Sequence, residues 1–125
     1  MQPRASQRPV VLIVEDEWLI RMNTMEALEA AGFEVVEAEN ADQAIAILTT
    51  ARIDINLVLT DVHMPGSMDG LKLAHFVRNR WPPVKIIATS GRALPAEGDL
   101  PDGVRFVQKP YTARQITAVL RELFQ

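Results

Sequence analysis

Five short strand-like runs rich in apolar residues, separated by longer stretches with the periodicity of helices, constrain the fold of this chain most strongly. The first run is apolar at every position, which is typical of a strand that is covered on both faces. The runs predict strands at Val10 to Val14, Phe33 to Ala38, Ile55 to Thr60, Val84 to Thr89 and Val104 to Gln108. Strands that alternate with helices indicate an α/β domain with a parallel sheet and helices on both of its faces.

The stretches between these runs have helical patterns. They predict helices at Glu17 to Ala31, Ala41 to Ala51, Leu71 to Arg80 and Thr112 to Phe124. In the first helix, Leu19, Met22, Met25 and Leu28 recur at every third position, and we expect them to face the core. The connection from Gly91 to Gly103 contains two prolines. It leaves room only for an irregular or short helix, which would be the fourth in chain order.

Composition limits the classes of function that the chain can have. Its 125 residues are the size of one domain. The net charge is −3 and there is no long basic stretch, which argues against binding nucleic acid or a membrane through a broad cationic face. There is no cysteine, so the chain has neither a disulfide nor a thiolate zinc site. We expect a disordered tail over residues 1–9 and a single domain over residues 10–125.

Acidic residues directly follow two of the predicted strands. Glu15 and Asp16 follow the first strand, and Asp61 follows the third. Ligands of open α/β sheets bind beyond the carboxyl ends of the strands, where the strand order reverses, so we expect the three carboxylates to meet. They repel one another and need a counter-charge, and an oxygen-only cluster suits Mg²⁺. With Lys109 and Ser90 from two further strand ends, they can surround a transferred phosphoryl group.

Five motifs, in order along the chain, carry a resemblance to a known family. They are Val10-Val11-Leu12-Ile13-Val14-Glu15-Asp16-Glu17, Leu59-Thr60-Asp61-Val62-His63-Met64-Pro65, Asp69-Gly70, Ala88-Thr89-Ser90-Gly91 and Phe106-Val107-Gln108-Lys109-Pro110-Tyr111. From Val10 to its last residue, the chain resembles the receiver domain of two-component response regulators. The resemblance implies a flavodoxin-like, doubly wound sheet of five parallel strands in the order 2-1-3-4-5.

The resemblance also implies roles for particular residues. Asp61 would be the phosphoacceptor, Asp16 a direct ligand of Mg²⁺, and Glu15 a ligand that acts through a water molecule. The remaining implied roles are a metal-binding main-chain carbonyl at His63, a switch hydroxyl at Ser90, a phosphoryl-binding lysine with a following cis peptide bond at Lys109-Pro110, and a rotating aromatic ring at Phe106.

Two further side chains are candidates for control of the phosphoryl lifetime. His63 lies two residues after Asp61, and Arg92 lies two residues after Ser90. We expect both side chains to flank the phosphoryl group and to slow its attack by water.

The predicted function is a signalling switch in the cytoplasm. A histidine kinase or a histidine phosphotransfer protein would donate a phosphoryl group to Asp61 with Mg²⁺ as cofactor, and the domain would catalyse only its own phosphorylation and dephosphorylation. One alternative is an Mg²⁺-dependent phosphatase that forms an aspartyl-phosphate, although Val62-His63 follows Asp61 where a second catalytic acid is expected. Another is a flavodoxin-like cofactor carrier, although Glu15-Asp16-Glu17 would repel the phosphate of a cofactor.

Overall fold

The structure, a computed structural model, describes residues 8–50, 54–64, 68–91 and 99–125. The strands and helices in chain order are β1 Val10–Val14, α1 Trp18–Ala30, β2 Glu34–Ala38, α2 Ala41–Thr50, β3 Leu57–Asp61, α3 Gly70–Arg80, β4 Lys85–Ser90, β5 Arg105–Gln108 and α4 Ala113–Leu123. The sheet has five strands in the order β2-β1-β3-β4-β5, and every neighbouring pair is parallel. The predicted doubly wound α/β fold is confirmed.

Every residue of β1 and of β3 is buried, as their continuous apolar sequences predict. Because side chains alternate along a strand, each strand contributes to two cores. Leu12 and Val58 pack with residues of α2 and α3 on one face of the sheet. Val11 and Leu59 pack with residues of α1 and α4 on the other face. This arrangement holds the carboxyl ends of β1 and β3 in fixed positions.

The prediction that the Leu19/Met22/Met25/Leu28 stripe of α1 faces the core is wrong in its first half. Leu28 is buried, but Leu19 is 57% exposed and Met22 is 45% exposed. Leu19 and Leu28 are nine positions apart, which at 3.6 residues per turn amounts to about two and a half turns, so they point to opposite sides. A spacing of four, with Thr24 and Leu28 buried, describes the inward face instead.

Side-chain hydrogen bonds cap the N-termini of α2 and α4. Asn40 precedes α2 and accepts the N–H of Gln43 at 2.8 Å. Thr112 precedes α4 and forms a reciprocal capping box with Gln115. Such caps satisfy N–H groups that a helix start leaves without partners.

Two predictions fall largely outside the described part of the chain. The disordered tail concerns residues 1–9, of which residues 1–7 are not described. The irregular or short fourth helix concerns the connection from Gly91 to Gly103, of which residues 92–98 are not described; none of its described residues is helical. Among the described residues, no helix is both long and apolar enough to cross a membrane.

Candidate functional site

The strand order reverses between β1 and β3, and the acidic residues meet at that edge of the sheet. Glu15, Asp16 and Asp61 each place a carboxylate oxygen within 4.8 Å of the others. Glu15 and Asp61 are 3% and 7% exposed, whereas Asp16 is exposed. The cluster therefore has two buried carboxylates and one on its open side.

Lys109 lies against the two buried carboxylates. Its Nζ is 2.6 Å from Oε1 of Glu15 and 3.0 Å from Oδ2 of Asp61. The N–H of Lys109 donates to the carbonyl of Ser90 at 2.8 Å, so the end of β5 is fixed beside the end of β4. The peptide bond from Lys109 to Pro110 is cis, as the resemblance implied.

Burial and hydrogen bonding oppose each other in this ion pair. Burial raises the pKa of Glu15 to about 6, and the hydrogen bond and charge of Lys109 limit that rise. Burial acts to lower the pKa of Lys109, but its hydrogen bonds to Glu15 and Asp61 outweigh burial and raise the pKa. Lys109 thus stays charged, although it neutralises only part of the acidic cluster.

The donor set of this cluster fits a hard divalent cation. Three carboxylates face one ammonium group, so the site is left with excess negative charge when all of these groups are ionised. All the candidate ligand atoms of the cluster are oxygens, which is the chemistry that Mg²⁺ prefers. Glu15, Asp16 and Asp61 are the residues that would hold it.

Hydrogen bonds fix both the side chain and the main chain of Asp61. Its Oδ1 accepts the N–H of His63 at 3.2 Å, while its Oδ2 accepts from Lys109. Its main-chain carbonyl accepts the hydroxyl of Thr60 at 3.0 Å. The following residue, Val62, donates its N–H to the carbonyl of Thr89 in β4 at 2.8 Å. The carboxylate is therefore presented in one orientation.

Gly70 has a structural role that the sequence analysis did not assign. Its N–H donates to the carbonyl of Val62 at 2.9 Å, and an added Cβ would lie 1.8 Å from the carbonyl oxygen of Asp61. Asp69, the N-cap of α3, accepts the N–H of Lys72 at 2.9 Å. The start of α3 thus packs directly on the main chain of Asp61, and only glycine fits there.

Ser90 and Phe106 lie on the neighbouring strands β4 and β5, and β4 lies beside β3, which carries Asp61. Asp61 pairs with Thr89, and Phe106 pairs with Ala88. Ser90 is 1% exposed, and Phe106 is half-buried. Because side chains alternate along β4, Ser90 is on the same face of the sheet as Ala88 and Phe106.

Of the two residues predicted to control the phosphoryl lifetime, the structure describes only His63. His63 is exposed and donates its main-chain N–H to Oδ1 of Asp61, and the predicted role of its side chain stays a prediction. Arg92 lies outside the described residues, so its predicted position beside the phosphoryl group stays a prediction.

The sequence analysis missed the polar contacts of two α1 residues near the site. Arg21 donates from Nη1 to the main-chain carbonyl of Glu15 at 2.7 Å and from Nε to Glu37 at 2.8 Å. The hydroxyls of Thr24 and Tyr111 are 2.8 Å apart, and burial raises the pKa of Tyr111. Tyr111 belongs to a recognised motif, but an arginine in the first turns of a helix carries no sequence signal of such contacts.

Known proteins resemble this chain over nearly its whole length. The sensor kinase CckA of Brucella abortus (strain 2308) is 34% identical over 118 residues, which are 92% of this chain and 12% of that kinase. The aerobic respiration control protein ArcA of Escherichia coli (strain K12) is 35% identical over 121 residues, which are 94% of this chain and 49% of that protein. The chain thus spans less than half the length of either relative.

A solved structure and a family model agree with these relatives. The response regulator protein TrrA from Thermotoga maritima, in a complex with Mg²⁺ and BeF, matches with a TM-score of 0.82 and 26% identity, over 92% of this chain and 98% of that one. The model of the response regulator receiver domain matches residues 11–121. With this match, these relatives and the acidic cluster at the ends of β1 and β3, the chain belongs to the family of response regulator receiver domains, which act in two-component signalling.

Proposed function

We propose that Asp61 accepts a phosphoryl group from a phosphohistidine of a histidine kinase or a histidine phosphotransfer protein, in a reaction that depends on Mg²⁺. One observation carries this proposal: Lys109 bridges Asp61 and Glu15 at the carboxyl ends of the strands, with Nζ 3.0 Å and 2.6 Å from their oxygens. Lysine and acids in this arrangement supply the positioning and charge neutralisation that phosphoryl transfer requires. Such kinases use ATP, so we place the domain in the cytoplasm.

The reaction forms one bond and breaks one. A carboxylate oxygen of Asp61 attacks the phosphorus atom, the phosphorus–nitrogen bond to the donor histidine breaks, and the imidazole leaves with its nitrogen able to take up a proton. Bound Mg²⁺ would neutralise charge on the phosphoryl oxygens. Asp16 would hold it directly, with Glu15 acting through water and the carbonyl of His63 as a further ligand.

The residues around Asp61 would convert the acyl phosphate into a signal. Lys109 already reaches Asp61 and would move onto a phosphoryl oxygen as a positive charge. Ser90 ends the neighbouring strand and would bond another oxygen. Its shift would open space for Phe106 to turn inward, which changes the relative populations of two packings. His63 would shield the phosphoryl group from water.

The phosphatase alternative is not favoured. The residues directly after Asp61 are Val62 and His63, so no second carboxylate lies there to act as the acid and base of turnover. The only catalysis that the proposal assigns to the domain is of its own phosphorylation and dephosphorylation.

The surface through which the partner approaches follows from the position of the site. The first turns of α1 begin directly after the acids and present Trp18, Leu19 and Met22, which are 61%, 57% and 45% exposed. Exposed apolar side chains of this size commonly mark a contact surface. A phosphohistidine cannot reach Asp61 unless its protein lies over the open side of the site, so we assign this surface to the phosphodonor.

Incubation with acetyl phosphate or beryllofluoride plus Mg²⁺ tests the proposed function. We expect a stable adduct in the intact mass or in the fluorescence of Trp18, and no adduct in Asp61→Asn. Repeated release of phosphate from many small substrates would indicate a phosphatase instead. Absence of any adduct in the unmodified chain would reject the proposal.

A further inference from the structure

Arg21 is the cation nearest in sequence to the metal-binding acids, and it is largely shielded from solvent. It lies in α1, and its side chain is only 11% exposed. Its Nη1 donates to the main-chain carbonyl of Glu15 at 2.7 Å, and its Nε donates to Oε1 of Glu37 at 2.8 Å. The guanidinium therefore connects β2 to the loop that carries the acids.

The bond from Arg21 acts on the peptide that joins the two acids. The carbonyl of Glu15 belongs to the same planar peptide unit as the N–H of Asp16. The N–H of Glu15 is held separately, by the carbonyl of Ala38 at 3.1 Å. With both its N–H and its carbonyl bonded, Glu15 has a fixed main chain, and the direction in which the chain continues to Asp16 is fixed as well.

The side chain of Glu15 depends on the same loop. Its Oε2 accepts the N–H of Glu17 at 3.2 Å, and its Oε1 accepts from Lys109. Asp16, in contrast, is exposed on the open side of the cluster. The orientation of Asp16 therefore relies on the main chain that Arg21 holds.

We propose that Arg21 is a positioning residue, which orients Glu15 and Asp16 for Mg²⁺ by fixing the peptide between them, and that Glu37 orients Arg21. This inference rests on the proposed function of the site. Removal of a residue that hydrogen-bonds to metal ligands, without touching the metal itself, commonly weakens metal binding by about 10- to 100-fold.

The sign of the effect separates positioning from simple charge. A guanidinium that acted only through its charge would repel Mg²⁺, so its removal would tighten binding. A guanidinium that positions the ligands would strengthen binding despite its charge. We therefore expect Arg21→Ala to weaken Mg²⁺ binding by about 10-fold. We expect Arg21→Lys, which keeps the charge but not the planar fork of donors, to be weakened as well.

Titration of Mg²⁺ against the fluorescence of Trp18, with no phosphodonor present, is the test. Arg121→Ala is the matched control, because it removes an exposed arginine from the last turn of α4, and its affinity should equal that of the unmodified chain. Glu37→Ala should weaken binding by a smaller factor than Arg21→Ala. The double variant should bind no more weakly than Arg21→Ala alone, because Glu37 acts through Arg21.

The outcomes distinguish this inference from the proposed function. If the unmodified chain binds Mg²⁺ and Arg21→Ala binds it equally or more tightly, Arg21 does not position the ligands. If the unmodified chain does not bind Mg²⁺, or if Asp16→Asn binds Mg²⁺ as tightly as the unmodified chain, the proposed metal site is wrong as well. Circular dichroism checks that Arg21→Ala is folded. If it is not, Glu37→Ala decides the question, since it alters a half-exposed carboxylate, and unchanged affinity in that variant overturns the inference.

Discussion

Substitution of Gly70 by alanine should damage both the stability of the domain and its phosphorylation. The added Cβ would lie 1.8 Å from the carbonyl oxygen of Asp61, and ordinary contact begins at 3.4 Å, so helix α3 or the end of β3 must move by about 1.6 Å. The three atoms nearest to the added Cβ belong to the main chain of Asp61 and Val62, and they cannot rotate away as a flexible side chain could.

The expected magnitudes follow from this displacement. Overpacking of a tight contact costs about 1–3 kcal/mol, and weakening of the hydrogen bond from Gly70 to Val62 adds about 1 kcal/mol. We expect the free energy of unfolding in urea to fall by about 2–4 kcal/mol. A misplacement of about 1 Å at Asp61 should slow phosphorylation by acetyl phosphate by about 10- to 100-fold.

Gly91→Ala is the control for the stability measurement. A Cβ at Gly91 would meet no atom of the described residues within 4 Å, so the unfolding free energy of Gly91→Ala should change by no more than about 0.5 kcal/mol. Urea unfolding followed by circular dichroism compares the two variants. If Gly70→Ala is as stable as Gly91→Ala and is phosphorylated at the normal rate, the close packing of α3 on Asp61 is not a constraint on the site.

Three further predictions concern ionisation, helix capping and partner binding. Burial raises the pKa of Glu15 from 4.5 to about 6, so ionisation of this carboxyl group lowers the free energy of unfolding. Without Mg²⁺, the stabilising effect of its proton is complete below pH 4.5 and is lost as the pH rises through 6. In urea unfolding, the free energy of unfolding of Glu15→Gln should therefore rise by about 2 kcal/mol relative to that of the unmodified chain as the pH is raised from 4.5 to 7. A difference between the two proteins that does not vary with pH contradicts this. Thr112→Ala removes the capping box of α4 and should cost about 1 kcal/mol in the same assay, without changing the affinity for Mg²⁺; an unchanged unfolding free energy would contradict the capping role. Leu19→Ser and Met22→Ser should slow transfer from a cognate phosphohistidine protein while leaving the rate with acetyl phosphate unchanged. If transfer from the phosphohistidine protein is as fast in these variants as in the unmodified chain, this surface is not part of the partner contact.

Much of the fold and the acidic cluster could be predicted because strand ends are visible in a sequence. The run from Ile55 to Thr60, which Asp61 follows, predicted β3 to within two residues at each end. Since parallel strands bring their carboxyl ends to one edge, Glu15, Asp16 and Asp61 had to be near one another once the strand order was known. Lys109 was predicted from the same reasoning, and its contacts with two of the acids agree with it.

Other features could not be predicted because they depend on exact three-dimensional placement. The spacing of Leu19 and Met22 suggested a core stripe, but a repeat of three drifts around a helix with 3.6 residues per turn. The bond from Arg21 ends on a main-chain carbonyl, which has the same chemistry at every position in the chain. The need for glycine at position 70 depends on how closely α3 approaches β3, and no local pattern encodes that distance.

Identification of the modified residue tests the central claim most directly. Reduction of an acyl phosphate with borohydride converts the modified aspartate to homoserine, which peptide mass spectrometry can locate. After incubation with acetyl phosphate and Mg²⁺, we predict homoserine at position 61 but not at position 16, and no 2-amino-5-hydroxypentanoic acid, the corresponding product of a glutamate, at position 15. The homoserine signal should be lost in Asp61→Asn. Modification of another acid in the unmodified chain, with Asp61 left intact, would contradict the assignment of Asp61 as the phosphoacceptor.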